Sequence, residues 1–107
     1  MNVEDFKKLM KQYSEEDITT DEPHVSLRCE QNDITIDVVK KTLLDQNANL
    51  VRIIEDRPKV YKVYYQLSKK RELKVIVDVL THKKLNIRTV RILDKRSRLA
   101  FLSRRRF

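Results

Sequence analysis

The stretch that decides the fold is residues 60–93, VYKVYYQLSKKRELKVIVDVLTHKKLNIRTVRIL. Its apolar residues recur every second position, the period of a strand with one face buried. VYKVYYQL puts Tyr61, Val63, Tyr65 and Leu67 on one face, and LKVIVDVL does the same with Leu73, Val75, Val77 and Val79. In LNIRTVRIL, Leu85 and Ile87 share one face while Val90 and Ile92 share the other, so a bulge or bend is expected near Thr89. SKKRE and THKK are short polar turns, which makes these strands an antiparallel meander. Upstream, NLVRIIE reads as a further strand. The expected strands are 49–55, 60–67, 72–81 and 85–93.

N-terminal to the strands the period lengthens. Phe6, Leu9, Met10 and Tyr13 fall at i, i+3, i+4 and i+7, predicting a helix over 3–16 with Asn2 as its N-cap and Asp5 completing a capping box. The polar stretch DITTDEP follows. A second helix is expected over 22–31, with Thr20 or Asp21 near its cap and Pro23 in its first turn. Asn32 is the expected left-handed residue after it, in a chain with no glycine. A third helix, over 35–46, takes Thr35 as N-cap, Ile34 and Val39 as a hydrophobic staple, and Ile36, Val39 and Leu43 as its buried stripe. Helices followed by strands give an α+β class: N-terminal helices packed on a four-stranded, mainly antiparallel sheet, in one domain over 1–107.

Composition narrows the function. The lack of glycine argues against the phosphate-cradling loops of common nucleotide-binding folds. Cys29 is the sole cysteine, and no Cys/His cluster has zinc spacing. No cofactor and no metal are expected. The charged N-terminus lacks the apolar core of a signal peptide, and no run is long enough to span a membrane, so a cytoplasmic protein without a membrane partner is expected.

Charge is unevenly placed. Residues 1–56 carry 7 basic and 13 acidic groups, residues 57–81 carry 7 and 2, and residues 82–107 carry 10 and 1, for a total of +8. This one-sided footprint suits a polyanion or an acidic protein. Arg88, Arg91, Lys95, Arg96, Arg98, Arg104, Arg105 and Arg106 are the candidate phosphate ligands, because guanidinium groups hold phosphate oxygens bidentately. Tyr64, on the face opposite Tyr61 and Tyr65, is the candidate exposed base-stacking residue. Leu99, Phe101 and Phe107 would decide whether the basic end docks on the domain. His24 and Arg28 at i, i+4 share a helix side and pair a proton-transfer group with an anion ligand. The plainer reading is that His24 is a hydrogen-bonding residue at the helix start and Arg28 anchors a carboxylate such as Glu55. His82 falls in a turn. Asp78 is expected on the solvated face beside Lys62 or Lys74.

The segment ITTDEPHVSLRCEQNDITIDVVKKTLL, residues 18–44, resembles a family of small prokaryotic proteins of unknown function in the RelE/ParE-like toxin superfamily, cousins of the BrnT-type ribonuclease toxins. His24 and Arg28, Ile34-Thr35, the Val39/Leu43 spacing and Thr89-Val90 match the family pattern over residues 24–93. Asn32-Asp33 replace its Arg-Gly turn, and Arg91 stands where many members carry Tyr. The resemblance implies a RelE/BrnT-like fold and metal-independent RNA cleavage, for which His24 and Arg28, on the chemistry of their side chains, are the candidate catalytic residues. It also implies RNA or the ribosome as target and an acidic antitoxin-like protein as partner. The alternative is a non-catalytic module whose basic half docks an acidic protein or structured RNA.

Overall fold

The computed structural model describes residues 1–94; Lys95, Arg96, Arg98, Arg104, Arg105 and Arg106, expected as phosphate ligands, and Leu99, Phe101 and Phe107, expected to decide docking, lie outside the described residues. Three helices, α1 (Val3–Met10), α2 (His24–Gln31) and α3 (Ile36–Leu44), pack on a sheet of β1 (Ile18–Thr20), β2 (Leu50–Arg57), β3 (Val60–Gln66), β4 (Arg71–Thr81) and β5 (Lys84–Asp94). The sheet order is β1-β5-β4-β3-β2. The chain is therefore α+β with its helices on a sheet, but the sheet has five strands rather than four.

The added strand comes from the ITT of the segment read as polar. Ile18, Thr19 and Thr20 pair in parallel with Leu85, Asn86 and Ile87. Ile18 is buried in the core, and Thr19 Oγ1 donates to Asn86 Oδ1 across the pair at 2.8 Å. The other three strand pairs are antiparallel.

Helix α1 starts as its cap chemistry dictates. Asn2 Oδ1 accepts from the Asp5 N–H at 2.8 Å, a contact that contributes on the order of 1 kcal/mol. The helix stops at Met10, short of 16. The N–H groups of Lys11, Gln12 and Tyr13 turn back to carbonyls three residues earlier, which tightens the end of the helix. A single 3-10 turn, Glu15–Asp17, then begins where the Asp17 carboxylate accepts from the Ser14 N–H. Tyr13 stays buried all the same, its hydroxyl donating to the Thr81 carbonyl.

Helix α2 begins at His24, with Pro23 at the N-cap rather than in the first turn; the Glu22–Pro23 peptide bond is cis. The left-handed residue after α2 is Asp33 (φ 54°), not Asn32. Asn32 keeps φ −99° and uses its side chain instead: Nδ2 donates to the Arg28 carbonyl at 2.7 Å, and Oδ1 accepts from the Ile92 N–H at 2.9 Å. The side chain thereby replaces a strand neighbour for β5 beyond the end of β1. Thr35 caps α3 as its hydroxyl accepts from the Val38 N–H. The helix ends at Leu44, and Ile36 is only half-buried against the core.

The core lies between the helices and one sheet face. Phe6, Met10, Val25, Cys29, Val39 and Leu43 from the helices meet Val63, Tyr65, Leu73, Val75, Val77, Leu85, Ile87 and Val90 from the strands. Leu67 falls beyond β3 and is exposed. The β4–β5 register shifts at one point: Ile76 opposes Thr89 while Val77 opposes Ile87, leaving Arg88 as the extra residue. This bulge brings Val90 and Ile92 back to the face of Leu85 and Ile87.

Candidate nucleic-acid interface

Strand alternation sends the remaining side chains to the opposite face of the sheet, and the register arranges them in cross-strand rows. One row runs Arg52–Tyr64–Lys74–Arg91 through β2, β3, β4 and β5. The next, two positions along, runs Ile54–Lys62–Ile76–Thr89. A third contains Arg57, Val60, Asp78, Asn86 and Thr19. At strand spacing, a row of four spans about 15 Å.

Helix α2 extends the first two rows past β5. His24 Nε2 and Thr89 Oγ1 share a hydrogen bond of 3.1 Å. Four residues on, Arg28 joins Lys74, Thr89, Val90 and Arg91 around a cleft of about 140 Å³. His24 and Arg28 are both exposed, and Arg28 bonds Gln31 at 3.3 Å rather than Glu55. Among the described residues, none of Arg28, Lys74 and Arg91 forms an ion pair with a carboxylate. Lys74 and Arg91 sit directly opposite each other on paired strands, a like-charge arrangement that costs stability. Burial, and then the neighbouring charges of Lys62 and Arg91, hold the Lys74 ammonium below the ordinary lysine range. An anion in the cleft would relieve that repulsion.

Arg88, Lys62 and Arg52 on this face are each paired with a carboxylate. Arg88, read from the sequence as a phosphate ligand, instead lies 3.6 Å from Asp78 and 4.0 Å from Asp21. Asp78 thus faces Arg88, not Lys62 or Lys74. Lys62 pairs with Asp56 at 3.5 Å. Arg52 bonds Glu72, whose side chain is almost fully buried, at 3.3 Å.

Tyr64 does lie on the face opposite the core, but it is not exposed. Only 8% of it is accessible. The Arg52 guanidinium sits 4.0 Å from the ring centroid, and the Lys74 ammonium sits 6.0 Å away. Both are cross-strand neighbours of Tyr64, and a cation over an aromatic face is attracted by the ring quadrupole. Tyr64 therefore anchors the two cations rather than offering a free platform for a base. His82 lies in the β4–β5 turn, seven positions from Thr89, so roughly 20 Å of strand separates it from His24. The structure does not bring the two histidines together.

Sequence reasoning missed Lys74 as part of the site. The signal was there: it is a charge within LKVIVDV, on the polar side of the strand, at a position that an antiparallel meander sets against the Thr-Val-Arg of β5. Among the described residues, no cluster of three or more His, Cys, Asp or Glu side chains is placed to hold a metal ion, and no helix is long and apolar enough to cross a membrane. Burial, and then the Glu22 carboxylate, push the Cys29 thiol up, so it behaves as a small core residue. Compared with protein-family models, with curated proteins and with solved structures, the chain matches none of them.

Proposed function

We propose that this chain is an RNA-binding protein related to the RelE/BrnT-type toxins, and that Arg28, Lys74 and Arg91 are its phosphate ligands. The observation that carries the reading is their convergence on one cleft without an ion-paired carboxylate among the described residues. Proteins bind phosphate through such groups, and the affinity is electrostatic. Titration of a single-stranded RNA at increasing salt tests it. The expected slope of log affinity against log salt is about −0.7 per phosphate contact, made shallower by about one contact in Arg91→Ala. No RNA affinity at low salt would overturn the reading and leave an acidic protein as the partner of the basic half.

His24 supports a second reading, endoribonuclease activity, because its bond to Thr89 holds the imidazole at the edge of the cleft. In that chemistry a neutral His24 takes the proton of the ribose 2′-hydroxyl. The 2′-oxygen forms a bond to the adjacent phosphorus as the bond to the 5′-oxygen breaks. Arg28 holds the phosphate, a 2′,3′-cyclic phosphate remains, and the leaving 5′-oxygen takes its proton from solvent water, while the proton on His24 passes back to solvent. RNA incubated with the protein and a chelator should yield cyclic-phosphate ends, and His24→Ala should not. No cleavage by the wild type leaves a binder. An acidic antitoxin-like partner belongs to the same reading and would compete with RNA for this face.

A further inference from the structure

Beside the phosphate cleft lies a second one, of about 340 Å³, and the two share Thr89. Its apolar floor is Ile76, His24 and Thr89 form the wall toward the phosphate cleft, and Asp21 and Arg88 complete the lining but are already engaged, Arg88 with Asp78 and Asp21, and Asp21 with the Asn86 amide. Across it stand Asp56 and Arg57 from the end of β2, where the β2–β3 register shifts between Glu55 and Arg57 and leaves Asp56 as the bulged residue. The row of Ile76 lies about 7 Å from the row of Lys74 and Arg91, two residues along the strands.

The polar groups here have capacity to spare. Asp56 is 3.5 Å from Lys62 and 4.0 Å from Arg57 Nε, both longer than a charge-assisted hydrogen bond. Among the described residues, no hydrogen bond occupies the terminal amino groups of Arg57. A carboxylate and an open guanidinium, side by side over an apolar floor, complement a flat ligand that carries two adjacent donors on one edge and two adjacent acceptors on another.

We infer that this second cleft is a nucleobase subsite selective for guanine, an inference that rests on the RNA-binding reading of the cleft beside it. Guanine offers N1–H and the N2 amino group to the Asp56 carboxylate, and O6 and N7 to the Arg57 guanidinium. Adenine and cytosine present a single amino group next to an acceptor, which a carboxylate repels. Uracil presents one donor between two acceptors. The neighbouring cleft then holds the phosphate of the same nucleotide.

Binding of the RNA pentamers AAGAA, AAAAA, AACAA and AAUAA, followed by fluorescence anisotropy, tests this. The expected result is AAGAA bound about tenfold tighter than the other three. Asp56→Asn should reduce AAGAA to the level of the others, and Arg57→Met should weaken the same preference. Equal binding of all four, or a guanine preference that survives both substitutions, overturns the base subsite while leaving RNA binding intact. No binding of any pentamer at low salt overturns the RNA reading itself. Guanosine, adenosine, cytidine and uridine 5′-monophosphates provide an independent arm: equal affinities among them count against the subsite whatever the pentamers do.

Discussion

The two faces of the sheet are made from the same strands, yet they are held by different physics. On the helix side, Val63, Leu73, Val75, Val77, Leu85, Ile87 and Val90 are buried without a charge among them. On the other side, Arg52, Lys62, Lys74, Arg88 and Arg91 alternate with those same residues. The helix side gains by removing apolar area from water. The opposite side carries three paired groups, Arg52–Glu72, Lys62–Asp56 and Asp21–Arg88–Asp78, and next to them three cations, Arg28, Lys74 and Arg91, that no carboxylate neutralises among the described residues. A fold that needs only stability has no use for Lys74 set against Arg91. That contrast is why the proposed binding surface is the polar face.

The largest expected effect breaks the apolar face. Leu73→Ala, at a fully buried position, should cost about 2–5 kcal/mol in chemical denaturation. Measured below its unfolding transition, its RNA affinity should remain that of the wild type. The converse substitution is Arg91→Ala, which should lower RNA affinity by about tenfold yet change stability by less than about 0.5 kcal/mol, since Arg91 is exposed and makes no ion pair among the described residues. If Arg91→Ala were instead the destabilising change, the division of labour between the faces would be wrong.

Asn32→Ala tests the seam where the faces meet. It removes the bonds to Ile92 N–H and to the Arg28 carbonyl, and a cost of about 1 kcal/mol is expected, with loosened hydrogen-exchange protection at Ile92. The smallest effect is a pH dependence with opposite signs in two measurements. Because the fold lowers the Lys74 pKa, the unfolded chain holds more protons between that value and the ordinary lysine value of about 10.4. Lys74's own contribution to stability should therefore rise slightly with pH across that window and be lost again as pH falls through the lowered value. It is read as the difference between the wild type and Lys74→Arg, because the raised Cys29, Tyr13 and Tyr65 drive total stability the other way. RNA affinity should fall as pH rises through the same window, as a cation leaves the cleft. Lys74→Arg should abolish that contribution to stability and the fall in affinity.

The meander was readable because alternation is a local signal that four strands repeat. β1 was not: three residues cannot establish a period, two of them are threonines, and its partner β5 lies more than sixty residues away. Alternation placed Tyr64 on the correct face, but exposure is not written in a period of two. It depends on Arg52 and Lys74, which reach Tyr64 only through register. Lys74 escaped notice for the same reason. His24 and Arg28 were legible as a helical pair, whereas their meeting with β5 at Thr89 required the tertiary fold.

The bulge at Arg88 carries one further consequence. Strike Arg88 from the chain and β5 reads Leu85, Asn86, Ile87, Thr89, Val90, Arg91, Ile92, an unbroken in-out alternation with the same apolar side chains inward. The core has no need of the extra residue. In chain-length terms it is an insertion that a shorter strand could omit at no loss of packing. Its effect is to set two consecutive outward side chains shoulder to shoulder, the guanidinium that ties Asp78 to Asp21 and the hydroxyl that meets His24. The surplus residue serves the polar face rather than the core, and the strand is one residue longer than the packing of that core demands.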